Sequence, residues 1–253
     1  VKIFVIIVII VIFTAKIFSK TPLEYEVLGS IPHNPESFTQ GLLIIGENIY
    51  ESTGSLGRGS RIIVIDKKTG NEIKSVKSEG IFGEGLAFDG AMLWQLSWQE
   101  QKALVYSVNS LNKVAEIPYK GEGWGLTYIP KERTFAMSNG SSQITFRDQE
   151  FNETGKISVK MNKIAIDNLN ELEFWNEKIL ANRWYSDTIF VINSQTGEVE
   201  NIIDLTEVRK SENPRIADGN VLNGIAAIDK ETLLITGKRW RKFYIIKVNN
   251  AQH

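Results

Sequence analysis

Gln40-Gly41-Leu42 returns four times along the chain, as Glu84-Gly85-Leu86, Trp124-Gly125-Leu126, Asn170-Glu171-Leu172 and Asn223-Gly224-Ile225. The third members stand 44, 40, 46 and 53 residues apart. A period of that length belongs to stacked or circular arrays of supersecondary units. Around each recurrence, short β-branched and aromatic runs alternate with Gly, Asn, Asp and Ser turns. Each unit reads as three to four antiparallel strands. The second strands include Ile49-Tyr50-Glu51, Met92-Leu93-Trp94-Gln95 and Thr232-Leu233-Leu234-Ile235. Five such units predict an all-β, five-bladed β-propeller. The last unit runs out of chain after Val248, and the segment Glu24 to Ile31 has no unit of its own. It is expected to supply the missing outer strand of the last blade, closing the ring and removing an exposed edge. The alternative, a solenoid, needs capping repeats that the sequence does not offer. The polar stretch Thr206 to Gly219 reads as a surface excursion with a short helix.

Composition narrows the function. The 253 residues carry 29 basic and 30 acidic side chains, so the chain has no electrostatic footprint for nucleic acid. Cysteine is absent, which excludes disulfides and thiolate chemistry. The two histidines, His33 and His253, are too few for a three-histidine zinc site, and His33 in Pro32-His33-Asn34-Pro35 reads as a loop residue. At the N-terminus, Lys2 precedes eleven consecutive apolar residues, Ile3 to Phe13. That length suits a secretory h-region better than a membrane span. Residues 1–20 are therefore expected to be a signal peptide or signal anchor, and 21–253 a single propeller domain. An extracytoplasmic location follows, with membrane attachment only if the segment stays uncleaved.

The first member of the repeated triplet changes its chemistry from blade to blade: amide, carboxylate, indole, amide, amide. In a propeller the innermost strands begin around one mouth of the central channel, and the antiparallel second strands return to it. Counting forward from each triplet to the end of the second strand gives Gly54, Trp98, Ser138, Trp184 and Lys238. One mouth is thus expected to gather Gln40, Glu84, Trp98, Trp124, Asn170, Trp184, Asn223 and Lys238, with Glu51 beside them. One carboxyl among indoles should have a raised pKa, because desolvation disfavours its charged form. Such a carboxyl can shuttle protons near neutral pH. Trp94, Trp175 and Trp240 fall outside the pattern and read as structural or rim residues.

The motifs Phe38-Thr39-Gln40-Gly41-Leu42, Tyr50-Glu51-Ser52-Thr53-Gly54, Phe82-Gly83-Glu84-Gly85-Leu86, Gly123-Trp124-Gly125-Leu126, Leu169-Asn170-Glu171-Leu172-Glu173, Ala181-Asn182-Arg183-Trp184, Leu222-Asn223-Gly224-Ile225-Ala226 and Thr236-Gly237-Lys238 occur in this order. Together they resemble the plant-type glutaminyl-peptide cyclotransferases, a family also found in bacteria, from Pro32 to Val248. The resemblance implies a five-bladed propeller, unrelated to the zinc-dependent animal type. It implies conversion of an N-terminal glutamine to pyroglutamate with release of ammonia, on peptides or proteins with N-terminal Gln. The chain is expected to act as a monomer. It places the acidic residue at Glu84, the aromatic wall at Trp98, Trp124 and Trp184, and polar partners at Gln40, Asn170 and Lys238. Glu51 and Asn223 are further substrate-binding candidates. No cofactor is required for this chemistry, and a structural divalent ion in the channel is compatible with the fold. Arg183 stands where a small apolar residue is expected, Ser97 precedes Trp98 in place of Thr, and Glu122 matches the bacterial form of its motif. The competing classes are a secreted propeller that only binds peptide or sugar, and a metal-dependent lactonase. The second needs several converging carboxylates, and the mouth offers few.

Overall fold

The computed structural model describes residues 20–55, 59–212 and 219–249. The expected signal or anchor segment lies outside them apart from Lys20. Strand β1 (Tyr25–Pro32) opens the fold. Blade 1 consists of β2 (Thr39–Ile45), β3 (Asn48–Thr53), β4 (Ser60–Asp66) and β5 (Glu72–Ser78). Blade 2 consists of β6 (Gly83–Phe88), β7 (Met92–Ser97), β8 (Lys102–Ser107) and β9 (Lys113–Pro118). Blade 3 is built from β10 (Leu126–Ile129), β11 (Thr134–Met137), β12 (Gln143–Arg147) and β13 (Glu153–Ser158). A short hairpin, β14 (Lys160–Met161) and β15 (Ile164–Ala165), precedes blade 4 and is not foreseen from the residue order. Blade 4 has β16 (Leu169–Trp175), β17 (Lys178–Arg183), β18 (Thr188–Asn193) and β19 (Val199–Asp204). Helix α1 (Thr206–Glu212) follows, in the stretch where a short helix is expected. Blade 5 has β20 (Leu222–Ala227), β21 (Thr232–Gly237) and β22 (Lys242–Val248).

The four-stranded sheets are antiparallel meanders, and the last has the order β1-β22-β21-β20. Tyr25 pairs with Val248 and Pro32 with Lys242, so the N-terminal strand completes the last blade as expected. This pairing closes a ring and rules out an open solenoid.

The core is divided into five apolar wedges rather than one mass. Each wedge lies between neighbouring blades, because a sheet with two apolar faces must bury both. The wedge that seals the ring packs Leu42, Ile49 and Ile63 of blade 1 against Ala226, Leu234 and Phe243 of blade 5. Trp94 stacks on Phe151 inside the wedge of blades 2 and 3, and Trp240 is buried between blades 4 and 5, so both are structural. Trp175 donates from its indole to the Asp229 carbonyl at 2.8 Å.

The repeated triplet now has a backbone reason. Register breaks fall at Thr39/Gly41, Gly83/Leu86, Leu169/Leu172 and Leu222/Ile225, at the start of four innermost strands. A bulge there re-aims the side chain that precedes the glycine. The glycine itself is required by close approach: a Cβ on Gly41 would run into the backbone of Leu86, and one on Gly85 into that of Leu126. The innermost strands thus nearly touch at this level, and the Gly85 N–H donates to the Trp124 carbonyl at 2.7 Å.

Blade 4 alone puts a side chain at the glycine position. Glu171 is fully buried and accepts the Ile225 N–H at 3.0 Å and the Leu42 N–H, tying blade 4 to blades 5 and 1. Two residues on, Glu173 accepts the Ala227 N–H at 2.8 Å. Burial pushes both carboxyls up, Glu173 to about 8, and Glu173 raises Glu171 further. The stability consequence has a definite sign. Between its ordinary value of 4.5 and about 8, folded Glu173 holds a proton that the unfolded chain releases. Stability therefore falls as pH rises through that window. Calorimetry across it should show a declining Tm, and Glu173→Gln should make the decline shallower, with Glu171 and Glu84 keeping the rest. A Tm that rises across the window in the wild type would contradict this account.

Candidate active site

A cavity of about 170 Å³ opens where the bulged strand starts converge. Phe38, Gln40, Phe82, Glu84, Trp98, Trp124, Asn170, Trp184, Gly219 and Lys238 line it. Seven of the nine side chains that the sequence assigns to the mouth are here: Gln40, Glu84, Trp98, Trp124, Asn170, Trp184 and Lys238.

Glu84 sits at the bulge of β6 and is buried. The Gln40 side-chain amide donates to its Oε1 at 2.9 Å. Its backbone carbonyl is held by the Ser52 hydroxyl from the neighbouring blade. Ser138 does the same for the next pair of blades, donating to the Asn170 carbonyl at 2.6 Å. Both hydroxyls fix the main chain from which a functional side chain projects. Burial pushes the Glu84 carboxyl well above its ordinary value; Lys238 opposes the shift, and Glu122 and Glu100 add to it.

Lys238 follows directly on β21 and is 3 % exposed. Its ammonium lies over the Phe38 ring, 4.8 Å from the centroid, where the ring's negative face compensates some of the lost hydration. Burial still pulls it down to about 8, against the pull of Glu84. The cavity therefore holds an acid and a base that desolvation drives toward each other in pKa, which is how sites that move protons near neutrality are built.

The aromatic lining is a sequence of edge-on contacts. Phe38 meets Phe82 at 6.4 Å between centroids, and Phe82 meets Trp98 at 5.7 Å. Across the cavity Trp124 meets Trp184 at 5.7 Å and 86°. Two glycines seat these rings: a Cβ on Gly54 would collide with Phe82, and one on Gly140 with Trp124. Trp184 is 40 % exposed and forms the open side. The unexpected Arg183 beside it points away to an ion pair with Asp167 at 3.0 Å.

Two expected members belong elsewhere. Glu51 is fully buried on the side of blade 1 that faces blade 5. Its Oε1 accepts the Thr39 hydroxyl at 2.6 Å and lies 3.1 Å from His33 Nε2. Thr39 and His33 claim the carboxylate before it can reach the mouth, and His33 is a buried partner rather than a free loop residue. Asn223 is also fully buried; its Nδ2 donates to the Thr39 carbonyl at 3.0 Å and to Gln40 Oε1 at 3.4 Å. It stands behind Gln40, and that contact turns the Gln40 amide so that its N–H faces Glu84. Phe38 and Phe82 line the cavity without having been expected there. Each stands two positions before the polar residue of its triplet, just ahead of the innermost strand, and that spacing is a usable signal.

A five-bladed ring with a buried carboxyl and a buried ammonium in an aromatic cup defines a class, and comparison with known proteins places the chain within it. The family model described as glutamine cyclotransferase matches residues 4–248. The glutaminyl-peptide cyclotransferase of Arabidopsis thaliana is 37% identical over 239 residues, 90% of this chain and 72% of that protein. The crystal structure of Myxococcus xanthus glutaminyl cyclase superposes with a TM-score of 0.82 at 30% identity, covering 91% of this chain and all of that one. The chain belongs to the glutamine cyclotransferase family and is an enzyme of that kind.

Proposed function

We propose that the chain converts the N-terminal glutamine of peptides and proteins to pyroglutamate, with Glu84 as the proton shuttle. The observation that carries this reading is the placement of Glu84 and Lys238 together in one aromatic cavity. The free α-amine attacks the side-chain amide carbon, so a carbon–nitrogen bond forms within one residue and the carbon–NH₂ bond breaks. Glu84 takes the proton that the α-amine must lose. The same carboxyl then hands it to the departing nitrogen, which leaves as ammonia. Atoms and charge balance with no further reactant.

The environment of each polar group supports a division of roles. The Gln40 amide is engaged at both ends, by Glu84 and by Asn223, so it orients the shuttle. Lys238 is left as the cationic donor for the oxyanion of the tetrahedral intermediate. Asn170 Oδ1 is buried without a partner among the described residues, an acceptor suited to a substrate N–H. The indoles of Trp98, Trp124 and Trp184 enclose the glutaminyl chain and supply apolar surface that binds it. They also keep water from competing as nucleophile, which would give glutamate. A cavity of about 170 Å³ suits one amino-acid side chain and its amine rather than a longer peptide segment.

Incubation with a Gln-initiated dipeptide should release ammonia in step with loss of the free amine, with and without EDTA, since every step uses protein groups. Loss of turnover in EDTA would overturn the metal-free mechanism. The alternative of a purely binding propeller predicts retention of the peptide with no ammonia. The apolar run at residues 3–13 supports action outside the cytoplasm on exported chains, which fractionation of cells making the full chain checks; that the enzyme acts as a monomer is checked by light scattering of the purified protein.

A further inference from the structure

Glu122 does not line the cavity, yet it touches two of the residues that do. It lies in the connection from β9 to β10, two positions before Trp124, the place that Phe38 and Phe82 occupy relative to Gln40 and Glu84. Its Oε2 accepts the indole N–H of Trp98 at 3.0 Å and that of Trp124 at 3.0 Å. Its Oε1 accepts the side-chain amide of Gln99, also at 3.0 Å. Partial burial would raise its pKa, but the donors from Trp124, Gln99 and Trp98 prevail and hold it below the ordinary value, so the carboxyl is ionised near neutrality.

The two indoles come from different blades, Trp98 directly after β7 and Trp124 just before β10 of blade 3. The ring contacts run Phe38 to Phe82 to Trp98 on one side and Trp124 to Trp184 on the other. Glu122 joins the halves where one blade ends and the next begins. A tryptophan at a cavity wall can pivot about its two side-chain torsions; anchoring the N–H edge removes that freedom. Anchoring both edges to one oxygen couples the two rings, and a charged acceptor makes each bond stronger than a neutral one would be.

We infer that Glu122 is a positioning residue that closes the aromatic wall, holding Trp98 and Trp124 as one unit, and so governs affinity for the glutaminyl end rather than the rate of proton transfer. The statement about affinity rests on the function proposed above; the statement about the wall does not. Glu122→Ala should raise KM about tenfold with kcat changed less than about threefold, the pattern of lost uniform binding. It should also alter the near-ultraviolet circular dichroism of the tryptophans. Glu122→Gln keeps a carbonyl oxygen where both indoles can donate, and should recover most of the KM and the spectrum. In a Trp98→Phe/Trp124→Phe background, which lacks both N–H groups, Glu122→Ala should add almost nothing. If Glu122→Gln is as impaired as Glu122→Ala, the charge and not the clamp matters, and the inference falls. It falls equally if the alanine variant keeps the wild-type spectrum, or loses kcat at unchanged KM. The spectra are read without turnover, so they decide the clamp even if glutamine cyclisation is not the reaction.

Discussion

Glu84→Gln is expected to lower kcat by ~10³-fold or more while leaving the fold intact, the loss anticipated when a sole proton-transfer group is removed from an enclosed site. The amide has nearly the same shape as the carboxyl. Its oxygen can still accept from Gln40, whose amide lies 2.9 Å from the wild-type carboxyl. What it cannot do is take a proton from the α-amine and return it to the leaving nitrogen. Because burial already pushes the Glu84 carboxyl far up, the substitution also removes a cost of ionising it in the folded state. Thermal stability at or above neutral pH should therefore be equal to wild type or higher. Activity and stability moving in opposite directions would separate a role in chemistry from one in folding. Near wild-type turnover in this variant would remove Glu84 from the mechanism.

Lys238→Met carries the second large effect. The methionine side chain can fill much of the space over Phe38 but has no charge to offer the oxyanion. Removal of one preorganised donor costs ~10²–10³ in kcat. The variant should show a second signature in its pH profile. In the wild type Lys238 holds the Glu84 pKa down against burial. Without it the Glu84 pKa rises, so the acid limb of kcat/KM should move to higher pH. The alkaline loss that accompanies deprotonation of Lys238 at about 8 should lose its enzyme component. An acid limb that stays in place, with kcat hardly changed, would mean that the lysine does not act on the site.

Much of this is legible in the residue order, and the rest is hidden for identifiable reasons. The blades announce themselves because a strand–turn–strand unit of fixed length must repeat its turns and its apolar faces. Ring closure by β1 follows from counting strands and finding the last unit incomplete. The mouth residues follow from the triplet, since the bulge that needs Gly41 and Gly85 also aims Gln40 and Glu84. What cannot be read is which neighbour captures a polar side chain first. Glu51 reads as a mouth carboxylate until Thr39 and His33 are seen to take it, and His33 is 18 positions away in the chain. Asn223 and Gln40 are 183 positions apart, and their contact exists only because the ring closes. Glu171 is visible as the acidic exception among four glycines, but its bond across to Leu42 depends on how nearly the innermost strands meet. Glu122 has the spacing of Phe38 and Phe82 and the wrong chemistry to be grouped with them; only the two indole N–H groups reveal its role.

The central claim is that the free α-amine of a glutaminyl N-terminus is itself the nucleophile. The most direct measurement compares one Gln-initiated peptide with its N-acetylated form, following ammonia and product mass together. The account predicts ammonia and a pyroglutamyl product from the free peptide, and no reaction of the acetylated one, whose nitrogen can neither attack nor give Glu84 its proton. Equal ammonia from both, with glutamate as the product, would mean that water attacks instead, and the assignment of Glu84 and the aromatic wall to cyclisation would be wrong.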